Sequence, residues 1–192
     1  MATGPDRRVR KTRQALHFAL VQLMMEKGYE SVTVRDIIER ADVGRTTFYA
    51  HFTDKEDLLR HGVETLQDEL REAGTARPAG TGRFFAFSLP LLEHAYDNRH
   101  LSPLLVGRRG GPLLRRWFDE MVADLAREEL SRRLPARHPT RVPLATVVPF
   151  VAGGFASLLT WWIDDGLQYR PTELDEMFHA VAVPGVRDAL NL

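Results

Sequence analysis

A chain of 192 residues is long enough to bury a real core and admits one or two domains. It has no cysteine, which excludes a disulfide scaffold and thiolate metal sites and suits a reducing compartment. The 26 Lys and Arg balance 26 Asp and Glu, so no global basic field draws the chain to nucleic acid. The distribution is uneven, however. Residues 1–52 carry nine basic and six acidic side chains (+3), and residues 154–192 carry two and six (−4), which fits one end meeting phosphates and the other meeting something else.

Arg7, Arg8, Arg10, Lys11 and Arg13 open the chain without the apolar stretch of a signal peptide, and the first eight or so residues are expected to form a mobile arm. A helix is predicted from about Arg10 to Lys27, with Leu16, Ala19, Leu20, Leu23 and Met24 at helical spacing and Gly28 as its stop. Thr33 caps the next helix, with Asp36 completing a capping box, Ile37 and Ile38 facing inward, and Ala41 to Gly44 making a turn. In the following helix, roughly Arg45 to Phe52, Phe48 and Phe52 point inward at i and i+4. Arg45, Thr46, Thr47, Tyr49 and His51 face out. Thr53 to Glu56 reads as a second capping box, opening a helix from about Asp54 to Ala73.

Gly74 to Gly82 has no periodicity and reads as a loop. Helical patterns then cover Arg83 to Tyr96, His100 to Val106, Leu113 to Arg133, Leu144 to Ile163 and Glu173 to Leu190. Turns fall at Gly107 to Pro112 and Pro135 to Pro143, and Pro184 is expected to end or kink the last helix. No strand-like alternation of useful length appears, so the expected class is all-α with about nine helices.

Two short helices joined by a tight turn, the second polar and aromatic, are how a helix is presented to the major groove of DNA. The segment resembles the DNA-binding domain of the TetR family of bacterial transcriptional regulators (TetR/AcrR-type). The likeness runs through Leu16, Ala19, Gly28-Tyr29, Thr33-Val34, Asp36-Ile37, Thr47-Phe48-Tyr49, His51-Phe52, Lys55 and Leu58, about the first third of the chain. Two positions depart from the family pattern. Asp42 stands where glycine is frequent, and Gly44 where a serine-like cap is frequent. Asp tolerates a left-handed turn and Gly is an acceptable N-cap, so the turn survives.

On residue type and position, Arg45, Thr46 and Thr47 are expected to meet base edges. Thr33, Tyr49, His51 and Lys55 are expected to set register on phosphates, and the resemblance implies the same division. It divides the chain into a helix-turn-helix DNA-binding domain at 1–55 and a helical effector-binding and dimerisation domain at 56–192. It also implies a pocket for a small-molecule effector, for which Phe87, Leu91, His94, Trp117 and Met121 are candidates. Helical spacing alone assigns each of these to the core.

Leu144 to Ile163 has no charge or histidine and meets the length rule for a membrane-spanning helix. Pro149, Gly153, Gly154 and three hydroxyl residues lower its hydropathy, and small residues suit close helix approach in water too. The resemblance places a dimer interface here, through Val147, Val151, Gly154, Leu158, Trp162, Met177, Phe178 and Val181.

His94, His100 and His138 are too scattered for a metal site. No catalytic motif, phosphate-binding loop or cofactor signature occurs, so neither an enzyme nor a cofactor is expected. Arg108 and Arg109 are exposed-loop residues able to meet an acidic ligand. The expected protein is a cytoplasmic homodimeric regulator, most simply a repressor released from a palindromic DNA operator by a small-molecule effector, with no membrane partner. A membrane-anchored DNA-binding protein and a ligand-blind architectural protein remain the alternatives.

Overall fold

The computed structural model describes residues 4–76, 84–105 and 109–192. The loop expected at Gly74 to Gly82 falls mostly outside the described residues, as does Arg108. Among the described residues there are nine α-helices and no strand. These are α1 (Gly4–Lys27), α2 (Val34–Ala41), α3 (Arg45–Tyr49), α4 (Lys55–Ala76), α5 (Ser88–Asp97), α6 (Ser102–Leu105), α7 (Gly111–Arg133), α8 (Leu144–Asp164) and α9 (Pro171–Leu190). Single 3-10 turns lie at Tyr29–Ser31 and Arg99–Leu101.

The chain folds as two compact units, Met1–Thr65 with Pro103–Arg115, and Leu66–Ser102 with Arg116–Leu192. In the first, α1 packs along α2 and buries Leu16, Leu20 and Met24 with Ile37, Phe48 and Leu58. Gly28 stops α1 with a φ of 78°, a conformation that costs glycine nothing. The expected mobile arm is instead helical from Gly4, so the first basic residues stand at fixed angles around α1. The Arg13 guanidinium lies 6.0 Å from the Phe52 ring, turned toward the core.

The second unit is built on α9, against which α5 and α8 pack. Phe85, Leu92, Phe155, Trp162 and Leu174 are among its fully buried side chains. Its entry explains why α5 starts at Ser88 rather than near Arg83. The Phe85 and Ala86 N–H groups donate to the buried Glu129 carboxylate at 2.6 and 2.7 Å, and Phe85 adopts a left-handed φ of 53°. The backbone is held in a corner there and cannot continue a helix. At the other end, Pro184 neither ends nor bounds α9, which runs on to Leu190 and stops at Asn191 with φ 55°.

Candidate nucleic-acid interface

The site is built on the turn between α2 and α3. Thr33 caps α2 as the sequence predicts. Its N–H donates to Asp36 Oδ2 at 2.7 Å, its hydroxyl donates to the same oxygen at 2.6 Å, and the Asp36 N–H returns to Thr33 Oγ1 at 3.2 Å. Lys27 Nζ lies 2.8 Å from Asp36 Oδ2. The Lys27 ammonium and then the Thr33 hydrogen bonds hold the Asp36 carboxyl far below the usual carboxylate range. A bidentate pair between Arg40 and Glu26, both contacts 2.8 Å, ties α2 to α1. Asp42 takes the left-handed turn at φ 52°, and Gly44 is the N-cap of α3.

α3 then presents three faces. Phe48 is fully buried and Phe52 nearly so, their ring centroids 6.1 Å apart, which fixes the helix from within. On a second face the Arg45 guanidinium lies 5.6 Å over the Tyr49 ring, with both side chains exposed. The helix ends at Tyr49 and not at Phe52 as expected, which leaves Ala50 and His51 in the turn just past it. On the third side these two, with Thr46 and Thr47, form one wall of an open groove of about 660 Å³. Its opposite wall is α1, through Arg8, Val9 and Thr12.

Two of the expected phosphate ligands already have partners within the chain. Lys55 Nζ donates to the carbonyls of Tyr29, Val32 and Glu30 at 3.0, 2.9 and 3.4 Å and sits 4.4 Å over the Tyr29 ring. An ammonium has three protons, and all three have acceptors here. The Tyr29 phenol is pushed up to about 12, chiefly by burial and then by Glu56, Glu30 and Asp54. The Thr33 hydroxyl proton goes to Asp36, so it has none left for a phosphate. The cap of α4 also differs from expectation by one residue. Asp54 accepts the Asp57 N–H at 2.8 Å, and the Asp57 carboxylate returns to the Thr53 N–H at 2.9 Å.

In the second unit Phe87, Leu91, Trp117 and Met121 are buried, whereas His94 is exposed and does not join them inside. Phe87 packs edge-on against Phe85 and Phe155, at 6.1 and 5.6 Å. A Ser88, Asp175 and His179 cluster has the composition of a hydrolase triad but not its geometry. Ser88 Oγ meets the Asp175 carboxylate, and the His179 nitrogens meet the carbonyls of Phe84 and Asp175 at 2.5 and 2.6 Å. No imidazole activates the hydroxyl. Among the described residues no group of three or more metal-ligating side chains occurs.

The expected dimer residues divide. Val147, Val151, Trp162 and Phe178 are buried within the single chain, because they lie on the inner faces of α8 and α9. Gly154, Met177 and Val181 are exposed and Leu158 partly so. The outer face of α8 instead carries Phe150, 77% exposed, with Gly153, Gly154 and Trp161, and that of α9 carries Val181, 82% exposed. A β-carbon at Gly153, Gly154 or Gly185 would meet only open space. α8 is long and apolar enough to cross a membrane. One of its faces is nevertheless occupied, by the packing that buries Val148, Phe155 and Leu159 inside the chain.

Residues 19–61 match the model of the bacterial regulatory proteins of the tetR family, and residues 83–183 match that of a transcriptional regulator C-terminal region. The chain is 27% identical over 179 residues to the uncharacterized HTH-type transcriptional regulator YxbF of Bacillus subtilis, covering 90% of this chain and 45% of that protein. It spans less than half the length of the curated relatives it matches. Two solved structures share the fold. One is a TetR-family regulator of Syntrophomonas wolfei, at a TM-score of 0.72 and 20% identity, over 90% of this chain and 93% of that one. The other is FadR of Thermus thermophilus in complex with lauroyl-CoA, at 0.57 and 19%, over 89% and 93%.

Proposed function

The chain belongs to the TetR family of bacterial regulatory proteins, and from that premise we propose that it is a homodimeric, cytoplasmic repressor released from a palindromic operator by a small-molecule effector. That it is a DNA-binding transcriptional regulator and not an enzyme follows from the family. The DNA-reading domain is assigned to 1–55 and the effector-binding and dimerising domain to 56–192.

The observation that carries the reading is α3. Phe48 anchors the helix from behind while Arg45, Thr46, Thr47 and Tyr49 are all exposed. Arg45 suits a guanine edge and the threonine methyls suit thymine, each good bidentate contact giving about 1–3 kcal/mol of discrimination. Tyr49 and His51 are assigned to phosphates. One such helix reads few base pairs, so two are needed, about 34–36 Å apart on one side of the duplex.

The exposed apolar stripes of α8 and α9, through Phe150, Trp161, Met177 and Val181, support pairing of two chains. The acyl-CoA complex of a protein of this fold supports a small-molecule effector, and its site is assigned to the second unit, among Phe87, Leu91, Trp117 and Met121. An effector lowers DNA affinity only if it binds the DNA-free conformation better.

The test is fluorescence anisotropy with DNA flanking the protein's own coding region, at stated salt and with excess nonspecific competitor. Saturable binding that resists competitor and is lost in Tyr49→Ala supports the reading. Equal binding to every duplex rejects a sequence-specific repressor.

A further inference from the structure

Given the DNA-reading function above, we propose that the groove between α1 and α3 seats one sugar–phosphate strand of the operator, with Arg8 as its phosphate ligand. The groove is open, about 660 Å³, and its two walls come from residues 8–12 and 46–51. It is continuous with the base-reading face, because Thr46 and Thr47 line it. A helix lying in the major groove runs between two phosphate strands, so a second wall standing beside it meets one of them.

The helical start of α1 makes this wall specific. Arg8 and Thr12 are one turn apart on a single face, with Val9 beside them, whereas Arg13 is turned onto Phe52. Thr12 Oγ1 donates to the Arg8 carbonyl at 3.1 Å, so its proton is unavailable to a ligand. Val9 and Ala50 contribute no polar side-chain atom. The lining thus combines apolar groups with the cationic Arg8 and with His51. Apolar lining beside a guanidinium suits a deoxyribose and its phosphate. A small ligand is ordinarily enclosed over most of its surface, and this groove is open to solvent.

The assignment separates α3 into two working sides. Arg45 and Tyr49 lie off the groove, and Thr46, Thr47 and His51 lie on it. Arg8 becomes a positioning contact that fixes register from α1 and carries no sequence information itself.

The experiment measures operator and scrambled-duplex affinities across a salt series for wild type, Arg8→Gln, Ala50→Leu and Tyr49→Ala. Arg8 and Ala50 are exposed, and circular dichroism checks that each variant is folded. Arg8→Gln is expected to weaken both duplexes by the same factor and to make the slope of log affinity against log salt shallower by about one. Ala50→Leu, which adds bulk to the groove lining without removing a charge, is expected to weaken operator binding several-fold. If Arg8→Gln keeps the wild-type slope and affinity while Tyr49→Ala abolishes binding, the groove assignment fails and the DNA-reading function stands. If Arg8→Gln instead relaxes preference at one base pair, Arg8 reads a base and the backbone assignment is overturned. If wild type shows no preference for the operator over any duplex, the function fails and the proposal with it.

Discussion

The imidazole of His17 fills the space that a side chain at Gly62 would need: a β-carbon on Gly62 would fall 2.1 Å from His17 Nε2. α1 and α4 approach this closely because residue 62 has no side chain. Gly62→Ala gains about 1 kcal/mol of helix propensity, but overpacking against the half-buried His17 ring costs about 1–3 kcal/mol. A net loss of stability is expected, measured by chemical denaturation. His17→Ala in the same background should recover part of it.

His17 also sets a pH dependence. Burial, and then the nearby His61, lower its pKa from the ordinary 6.5. The unfolded chain therefore takes up the proton first as pH falls. The stability contributed by neutral His17 is present above about pH 6.5 and is lost progressively as pH drops toward the lowered folded value. Thermal melts from pH 8 to pH 5 should show a falling Tm. His17→Gln should flatten that slope.

Lys55→Met tests whether this lysine is structural. Three carbonyl oxygens lose their cationic donor, at a cost of about 2 kcal/mol for a partly buried charged group. The loss should appear in the melting of the free protein, with no DNA present. A melting curve unchanged from wild type would return Lys55 to the phosphate-contacting set.

Glu129→Gln is expected to destabilise the second unit. The carboxylate accepts two backbone N–H groups and pairs with Arg133, whose guanidinium is 3.0 Å away. An amide would turn donors toward donors and lose one or both bonds, about 1.5–3 kcal/mol. Denaturant unfolding measures it, and a partial loss of far-ultraviolet signal would localise the damage to the corner before α5.

Val181→Glu and Phe150→Glu separate the outer faces of α8 and α9 from their inner ones. Both side chains are exposed, so a charge leaves the single-chain core intact. Sedimentation equilibrium should show dissociation to monomers with little loss of helicity. A monomeric wild type, or dimers unaffected by both changes, would reject pairing through this surface. Val151 is buried, so Val151→Ala, which deletes two methyl groups, should lower stability by about 1.5–3 kcal/mol while leaving association alone.

What the sequence disclosed follows the range of the interactions. The Thr33–Asp36 cap and the Phe48–Phe52 pair involve neighbours within four residues, and both were legible. Lys55 was not, because its acceptors lie 23–26 residues earlier in the chain. α8 is apolar on nearly every side, so its pattern had no phase from which to choose Phe150 over Val151. The corner at Phe85 depends on Glu129, 44 residues away, and no local signal marks it. The groove escaped notice because residues 4–8 read as an arm, which gave Arg8 no fixed position.

The stacking of Arg45 on Tyr49 bears on how quickly a correct site is accepted. A free arginine must give up about 2 kcal/mol of rotamer entropy to make one bidentate contact. An exposed cation–π contact of about 0.5–1 kcal/mol already biases the side chain toward one arrangement while leaving the ring easy to abandon. Arg45 thus arrives at each base pair partly ordered yet weakly held. A matching guanine can capture it within a brief encounter, and a mismatched pair gives it no reason to leave the tyrosine.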